Sequence, residues 1–208
     1  MKKILILSSA MLLIACHNSK TTTETMTQTT TATETETVSG GLSTSAGQGI
    51  IEPINQTVPD EDTVILLGKI NRKGLNQEPF QSWFDLNFED ATLDKKTIAK
   101  IKPLLEGVRI KAFMGTWCSD SQREIPHFYK IMDAAGFNYD RLDLVAMSQD
   151  KDTPAAYENG LNIINVPTFI FYKNGKELGR YVEYAQETLE KDMYAILSGA
   201  DYTHSYAE

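Results

Sequence analysis

A strand-like segment that runs through a tryptophan and a cysteine into a helix constrains the fold more than any other feature of the chain. Residues 109–114 (RIKAFM) are mostly apolar and predict a strand. Beyond Trp117 and Cys118, residues 119–135 carry apolar side chains at helical spacing and stop at Gly136. Cys118 is therefore predicted at a helix N-terminus, where unpaired N–H groups and the helix dipole favour a thiolate. This placement indicates a reactive cysteine.

The residue three positions after Cys118 limits the chemistry of that thiol. A two-thiol enzyme would carry its second cysteine there, and this chain has Ser121. The chain contains only two cysteines, and the other one, Cys16, lies near the N-terminus. Cys118 alone can attack a disulfide, but an external thiol must then release it from the mixed disulfide. We expect the Ser121 hydroxyl to donate a hydrogen bond back to the Cys118 sulfur, one helical turn away.

The N-terminus has the pattern of an export signal. Two lysines precede an apolar core of about a dozen residues, which is shorter than the roughly 20 residues that span a bilayer. The signal, residues 1–15, ends in LIA directly before Cys16, and the sequence LIAC at 13–16 resembles the lipobox of bacterial lipoproteins. That resemblance implies that Cys16 becomes the acylated first residue of a lipid-anchored protein in the cell envelope, facing the periplasm or the exterior. The alternative is an ordinary signal peptide with an incidental cysteine.

Composition predicts a tether and argues against nucleic-acid binding and against a metal or cofactor site. Residues 16–60, rich first in Thr and then in Gly, are predicted to be the lipidated cysteine and a disordered tether. The net charge of −8 offers no basic surface for nucleic acid. The three histidines are scattered, so we predict neither a metal site nor a cofactor.

The remaining sequence predicts one globular domain over residues 61–201, followed by a tail at 202–208. Strands are predicted at 63–70, 109–114, 142–147, 168–172 and 177–183, and helices after Asp94 and at 119–135, 153–159 and 188–197. Their order indicates an α/β fold with a mixed sheet covered by helices on both faces. A predicted strand and helix before residue 109 form an N-terminal extension of this fold, whose core spans about residues 109–197.

Three sequence features together resemble the thioredoxin superfamily over about residues 109–197. They are Trp117-Cys118 at the strand-to-helix turn, Pro126 eight residues after the cysteine, and the sequence VPTFIFYKNGK at 166–176. The resemblance implies a thioredoxin-like fold in which Pro167 is cis and faces the Cys118 sulfur. It also implies a substrate groove formed by Trp117, Val166, Pro167, Thr168 and Glu183.

Three positions depart from the family pattern. Ser121 replaces the resolving cysteine, Ala112 stands where thioredoxins keep a buried aspartate, and Glu183 stands where they usually keep a glycine. Two interpretations of Glu183 remain open, namely a partly buried carboxyl that exchanges protons and a solvated strand residue. The pattern predicts a thioredoxin scaffold with a rebuilt site.

Three functional hypotheses follow. The leading one is a membrane-tethered monothiol oxidoreductase or isomerase that exchanges disulfides through Cys118, with protein thiols, protein disulfides or small-thiol adducts as partners. The second is a non-enzymatic module that binds extended peptides along the cis-proline groove. The third is a scaffold in which Cys118 is only packed. Reactivity of Cys118 separates the first hypothesis from the other two.

Overall fold

A computed structural model describes residues 53–207 and contains one mixed sheet with five α-helices in that range. The elements are β1 Gln56–Asp60, β2 Thr63–Ile70, α1 Arg72–Leu75, α2 Gln81–Asp90, α3 Lys95–Leu104, β3 Val108–Met114, α4 Ser119–Ala135, a 3-10 turn Tyr139–Arg141, β4 Leu142–Ala146, β5 Thr168–Lys173, β6 Lys176–Val182 and α5 Leu189–Ser198. The strand order is β1-β2-β4-β3-β5-β6. Strands β3 and β4 are parallel, and the other neighbours are antiparallel. The predicted α/β fold with a mixed sheet is confirmed.

The main core lies on one face of this sheet. Alternate residues of the central strands, such as Ile110, Ala112 and Phe169, point to that face because side chains alternate along a strand. Each of the five described α-helices adds side chains to the same cluster, among them Leu75, Phe84, Ile98, Phe128 and Met193. These helices therefore all pack against the same face.

The opposite face is covered by turns, where the sequence predicted a helix over 153–159. The Thr153 hydroxyl accepts a hydrogen bond from the Tyr157 amide at 2.9 Å and donates one to Glu158 at 2.5 Å. Ala156 has φ +53°, in the left-handed region. These local side-chain bonds replace the helical ones. The predicted helix is wrong, and with it the expectation of helices on both faces.

The folded part of the chain begins earlier than the sequence indicated. β1 lies inside the segment 16–60 that was assigned to the tether, so that assignment is wrong for residues 56–60. This strand pairs with β2 at the edge of the sheet, with Thr57 opposite Leu66. Its polar residues and Pro59 suit an edge strand but hide the hydrophobic pattern that normally reveals one. The rest of the predicted tether, up to residue 52, lies outside the described residues.

A buried carboxylate joins three helices on the main-core side. Glu190, at the start of α5, accepts a hydrogen bond from the Asp94 amide at 3.1 Å and lies 3.3 Å from His127 Nε2. Asp94 caps α3, as predicted, by accepting from the amides of Lys96 and Thr97. Burial acts to raise the pKa of Glu190, but the bonds from His127 and Asp94 hold that pKa below its ordinary value of 4.5. Glu190 therefore connects the start of α3 to α4 and α5.

We expect Glu190→Gln to lower the free energy of unfolding at pH 7 by about 1–2 kcal/mol, because the charge-assisted bonds are weakened. A carboxyl whose pKa is lowered by folding adds stability above its unfolded pKa and loses it as the pH falls through the folded value. The difference between wild type and variant should therefore shrink below about pH 4.5. Urea unfolding at several pH values measures it. Glu187→Gln, an exposed change just before the N-cap of the same helix, is the control and should change stability by less than about 0.5 kcal/mol.

Candidate active site around Cys118

Cys118 lies at the point where the chain leaves the sheet and enters α4. It is the N-cap residue, with extended backbone angles, and its carbonyl accepts a hydrogen bond from the Gln122 amide at 2.9 Å. Cys118 is partly exposed and is the only free cysteine within residues 53–207. Its thiol donates to the Val166 carbonyl oxygen at 3.2 Å. Cys118 therefore lies partly exposed at the helix start, with its sulfur against the segment just before β5.

The residues next to that contact form the predicted cis-proline turn. The Val166–Pro167 peptide is cis, as the resemblance implied. The Pro167 carbonyl accepts from the Glu183 amide at 2.7 Å, and Thr168 Oγ1 donates to the carbonyl of Asn165 at 2.6 Å. The side chains of Val166 and Thr168 are buried, so these two residues can meet a partner only through their backbone. The structure brings the predicted groove residues together beside Cys118.

Ser121 has a different contact from the one the sequence suggested. It is fully buried, and its Oγ accepts a hydrogen bond from the Gly115 amide at 3.2 Å. The expected bond from Ser121 to the Cys118 sulfur is not present, and the thiol donates to the Val166 carbonyl. A buried backbone N–H at the end of a strand needs an acceptor, and Ser121 supplies it. This serine supports the turn that carries Cys118.

A hydrogen bond from the indole N–H fixes the Trp117 ring over the turn. The indole Nε1 donates to the Met147 carbonyl at 2.9 Å. The ring, like Cys118, packs against a small buried cluster on the sheet face opposite the helices, formed by Phe113, Val145, Met147, Val166 and Ile170. The ring covers Gly115 so closely that a Cβ there would lie 2.4 Å from a ring atom. Trp117 also lines a cavity of about 430 Å³ between the turn and the N-terminal strands. One wall of the site is therefore fixed in position.

Glu183 is half-buried at the other side of the cis-proline turn. Its φ is +63°, a left-handed conformation that favours glycine, the residue thioredoxins usually have here. The carboxylate accepts hydrogen bonds from Asn165 Nδ2 at 3.1 Å and from the Tyr206 hydroxyl. Burial raises the pKa of Glu183, and the nearby Asp120 carboxylate raises it further, against the opposing effect of Lys151. Of the two interpretations left open by the sequence, the partly buried carboxyl fits this environment.

Sequence reasoning missed both side chains that hold Glu183. Asn165 directly precedes the Val166-Pro167 motif, and that position could have suggested a role at the turn. Tyr206 lies in the segment assigned to a tail, and no pattern near it indicates a contact with the site. The chain returns to the groove because Ser205 Oγ donates to the Tyr184 carbonyl at 3.0 Å. Ring contact between Tyr184 and Tyr206 adds to this docking.

Other charged groups near the helix start are already paired. Asp120 lies 2.8 Å from Arg123, which also contacts Glu124 at 2.9 Å. His127, on the same helix, faces Glu190. Ala112 is fully buried opposite Phe169, so this position places no carboxyl group in the core.

Residues 53–207 contain neither a metal-binding cluster nor a membrane-spanning helix. Within that range no group of three or more His, Cys, Asp or Glu side chains is arranged to hold a metal ion. The helices in the same range are too short or too polar to cross a bilayer.

Comparison with known proteins identifies the family. A family model described as thioredoxin matches residues 75–196, more than half of the chain. The chain belongs to the thioredoxin family. Membership supports a general thiol–disulfide redox role for this domain, and its thioredoxin-like fold agrees with the mixed sheet described above.

Individual relatives match this thioredoxin-family chain over less than half its length. It is 27% identical over 99 residues to thioredoxin from Gallus gallus, which covers 48% of this chain and 89% of the relative. It is 31% identical over 90 residues to chloroplastic thioredoxin Y from Oryza sativa subsp. japonica, covering 42% of this chain and 51% of that relative. Among solved structures, oxidised mitochondrial thioredoxin 3 from Saccharomyces cerevisiae is 22% identical, with a TM-score of 0.27, covering 40% and 74% of the two chains.

We expect Gly115→Ala to destabilise the thioredoxin-family domain by about 1–3 kcal/mol, because the added methyl group overpacks against the Trp117 ring. Urea unfolding gives the stability, and tryptophan fluorescence reports movement of the ring. In a Trp117→Ala background the same change should cost less than about 0.5 kcal/mol, since the clash is gone. Equal costs in the two backgrounds would show that the ring does not require Gly115.

Proposed function

We propose that this protein exchanges disulfides through Cys118 acting as a single thiol. The observation that carries the proposal is the position of the Cys118 sulfur, partly exposed at a helix start and in contact with Val166 beside the cis Pro167. A helix N-terminus favours the thiolate, which is the nucleophile in exchange. Position 121, where a second thiol would stand, carries the buried Ser121.

The reaction has two balanced steps. The Cys118 thiol first loses its proton, and the thiolate attacks one sulfur of a substrate disulfide. That S–S bond breaks, its electron pair leaves on the second sulfur, which takes up a proton, and Cys118 remains in a mixed disulfide. In the second step an external thiolate, or another thiolate of the substrate, attacks that mixed disulfide and releases Cys118. Release by the external thiolate completes the reduction of a mixed disulfide. Release by another thiolate of the substrate leaves that substrate with a rearranged disulfide, which is isomerisation.

Glu183 is suited to the proton transfers of this cycle. A carboxyl with a raised pKa holds a proton at a higher pH than an exposed glutamate does, so it can give a proton to a leaving thiolate and take one back. The hydrogen bonds from Asn165 and Tyr206 fix the carboxylate beside the cis-proline turn. We infer that Glu183 compensates in part for Ala112, which leaves the domain without the family's buried aspartate.

The competing hypothesis is a peptide-binding module that uses the same groove without chemistry. It draws support from the buried side chains of Val166 and Thr168, which leave mainly backbone groups for a partner strand to pair with. In the exchange reaction Cys118 is consumed and regenerated, whereas in a binding module it is dispensable. The two functions therefore differ in their response to the loss of one sulfur atom.

The test uses the full-length protein purified in detergent. Wild type incubated with glutathione disulfide should form one adduct on Cys118 that persists until dithiothreitol is added, as seen by mass spectrometry. It should reduce insulin disulfides poorly, because no internal thiol resolves the adduct. Ser121→Cys should gain several-fold in insulin reduction, yet stay below a two-thiol thioredoxin, because Ala112 supplies no buried carboxylate.

Cys118→Ser is the matched control, and it should form no adduct. Efficient insulin reduction by wild type would contradict the one-thiol mechanism. An unreactive Cys118 would exclude exchange altogether. Binding of an extended peptide by Cys118→Ser at wild-type affinity would then favour the binding module.

We further propose that the domain acts in the cell envelope, attached to a membrane through lipid on Cys16. The support is the export-signal pattern that ends at this cysteine, together with the Thr- and Gly-rich segment that would separate the lipid from the folded domain. These residues lie outside the described range. Substrates would then be thiols and disulfides outside the cytosol, where disulfides persist.

Cys16→Ser should abolish lipid attachment and release the protein from membranes. Cells grown with labelled fatty acid, followed by membrane fractionation, measure both effects. Cys118→Ser should keep the lipid label. That result would show that losing a cysteine elsewhere in the chain does not prevent lipid attachment. A wild-type protein that is unlabelled and fractionates away from membranes would contradict the anchor.

A further inference from the structure

The sheet face opposite the helices has an open cavity at its centre. The strand order places β3 and β4 in the middle of the sheet, where Arg109, Lys111 and Asp143 project to this face. Together with Leu161 and Tyr172, these residues line a cavity of about 600 Å³. Small-molecule sites typically measure about 300–1,000 Å³, so the cavity has the size of a ligand site.

The cavity continues past its charged residues toward the other edge of the sheet. A second space of about 160 Å³ shares Lys111 and Asp143 with the first. It is bounded further along by Phe113, Tyr157 and Lys69, whose ammonium lies 5.1 Å from the centre of the Tyr157 ring. The two spaces exist because the covering segment 148–166 forms turns and no helix, which leaves the centre of the face open. The result is one elongated groove with a charged group at its middle.

The charges in the groove do not cancel. Asp143 lies opposite Lys111 in the pairing of β3 with β4, yet its carboxylate pairs with Arg109 at 3.4 Å. Within residues 53–207, the side-chain ammonium of half-buried Lys111 makes no ion pair and no hydrogen bond. A partly desolvated ammonium on a central strand without a counter-ion attracts a negatively charged ligand.

The walls on either side of Lys111 are mainly apolar. Leu161 and the ring of Tyr172 form one end of the groove, and Phe113 with the ring of Tyr157 forms the other. Basic side chains add the apolar surface of their methylene stems. The Tyr172 hydroxyl is protonated at neutral pH, as an ordinary tyrosine is, so it can donate to an acceptor; burial and the nearby Glu177 raise its pKa further.

We propose that this groove binds a small monocarboxylate with an apolar or aromatic body, whose carboxylate pairs with Lys111 and whose body lies against Tyr172 and Leu161. The Arg109–Asp143 pair contributes no net charge and flanks the carboxylate. This site is separate from the exchange reaction and does not depend on it.

The test compares phenylbutyrate with phenylbutyramide, which has the same shape and no charge. Calorimetry on the full-length protein should show saturable binding of the acid and at least tenfold weaker binding of the amide. Lys111→Gln should raise the Kd of the acid about tenfold, as loss of one charge-assisted bond does. Asp143→Asn should lower that Kd, because it removes the only carboxylate lining the cavity and frees Arg109.

The control is Lys95→Gln, the same change of charge on an exposed position of α3 among the helices. It should leave the Kd unchanged, and backbone amide shifts on titration should cluster on β3 and β5. Because Asp143→Asn predicts a gain, it tests the site even if Lys111→Gln folds poorly. Absence of saturable binding by the acid, equal binding of acid and amide, or equal effects of Lys95→Gln and Lys111→Gln would overturn the proposal.

Discussion

The site depends on one backbone amide, that of Gly115, at the end of the central strand β3. The amide is buried where the sheet ends, and it must find an acceptor. Ser121, in the first turn of α4, provides its hydroxyl oxygen at 3.2 Å. A cysteine sulfur is a weaker acceptor than a hydroxyl oxygen. The serine that removes the second thiol therefore also strengthens the turn that presents the first one, so the chemistry and the architecture of the site follow from the same substitution.

The electrostatic character of the site comes from segments that are distant in sequence. Glu183 follows β6, Asn165 precedes β5, and Tyr206 comes from the last residues of the described chain. Each contact depends on the hairpin and on the docked C-terminal segment, and none is visible as a local motif. The Tyr202 hydroxyl, which donates to the buried Asp192 at 3.0 Å, secures this segment against α5. Removal of the tail would therefore change the environment of Glu183 and leave Cys118 in place.

Elements that are determined by local interactions could be predicted from the sequence, and elements that depend on distant contacts could not. The bounds of β2 and α4 agree with the prediction because their apolar periodicity and the Gly136 stop are local signals. β1 was missed, since an edge strand is stabilised by its neighbour and tolerates polar residues. The turn at Thr153 was mistaken for a helix because its hydroxyl, and not its periodicity, decides the local bonds.

The same distinction applies to the reactive site. Cys118, Pro167 and Glu183 could be located because the thioredoxin pattern places them, but the acceptor of the Cys118 thiol could not. A bond from the Ser121 hydroxyl to the sulfur and a bond to it from the Gly115 amide do not exclude each other, because a hydroxyl can accept from an amide while it donates elsewhere. The Gly115 amide is buried and would lose more by remaining unpaired than a partly exposed thiol would, so the bond from Gly115 to Ser121 is the one that the fold requires. The sequence reveals neither the burial of that amide nor the turn of the thiol toward the segment before β5, because both depend on how β3, α4 and that segment pack together.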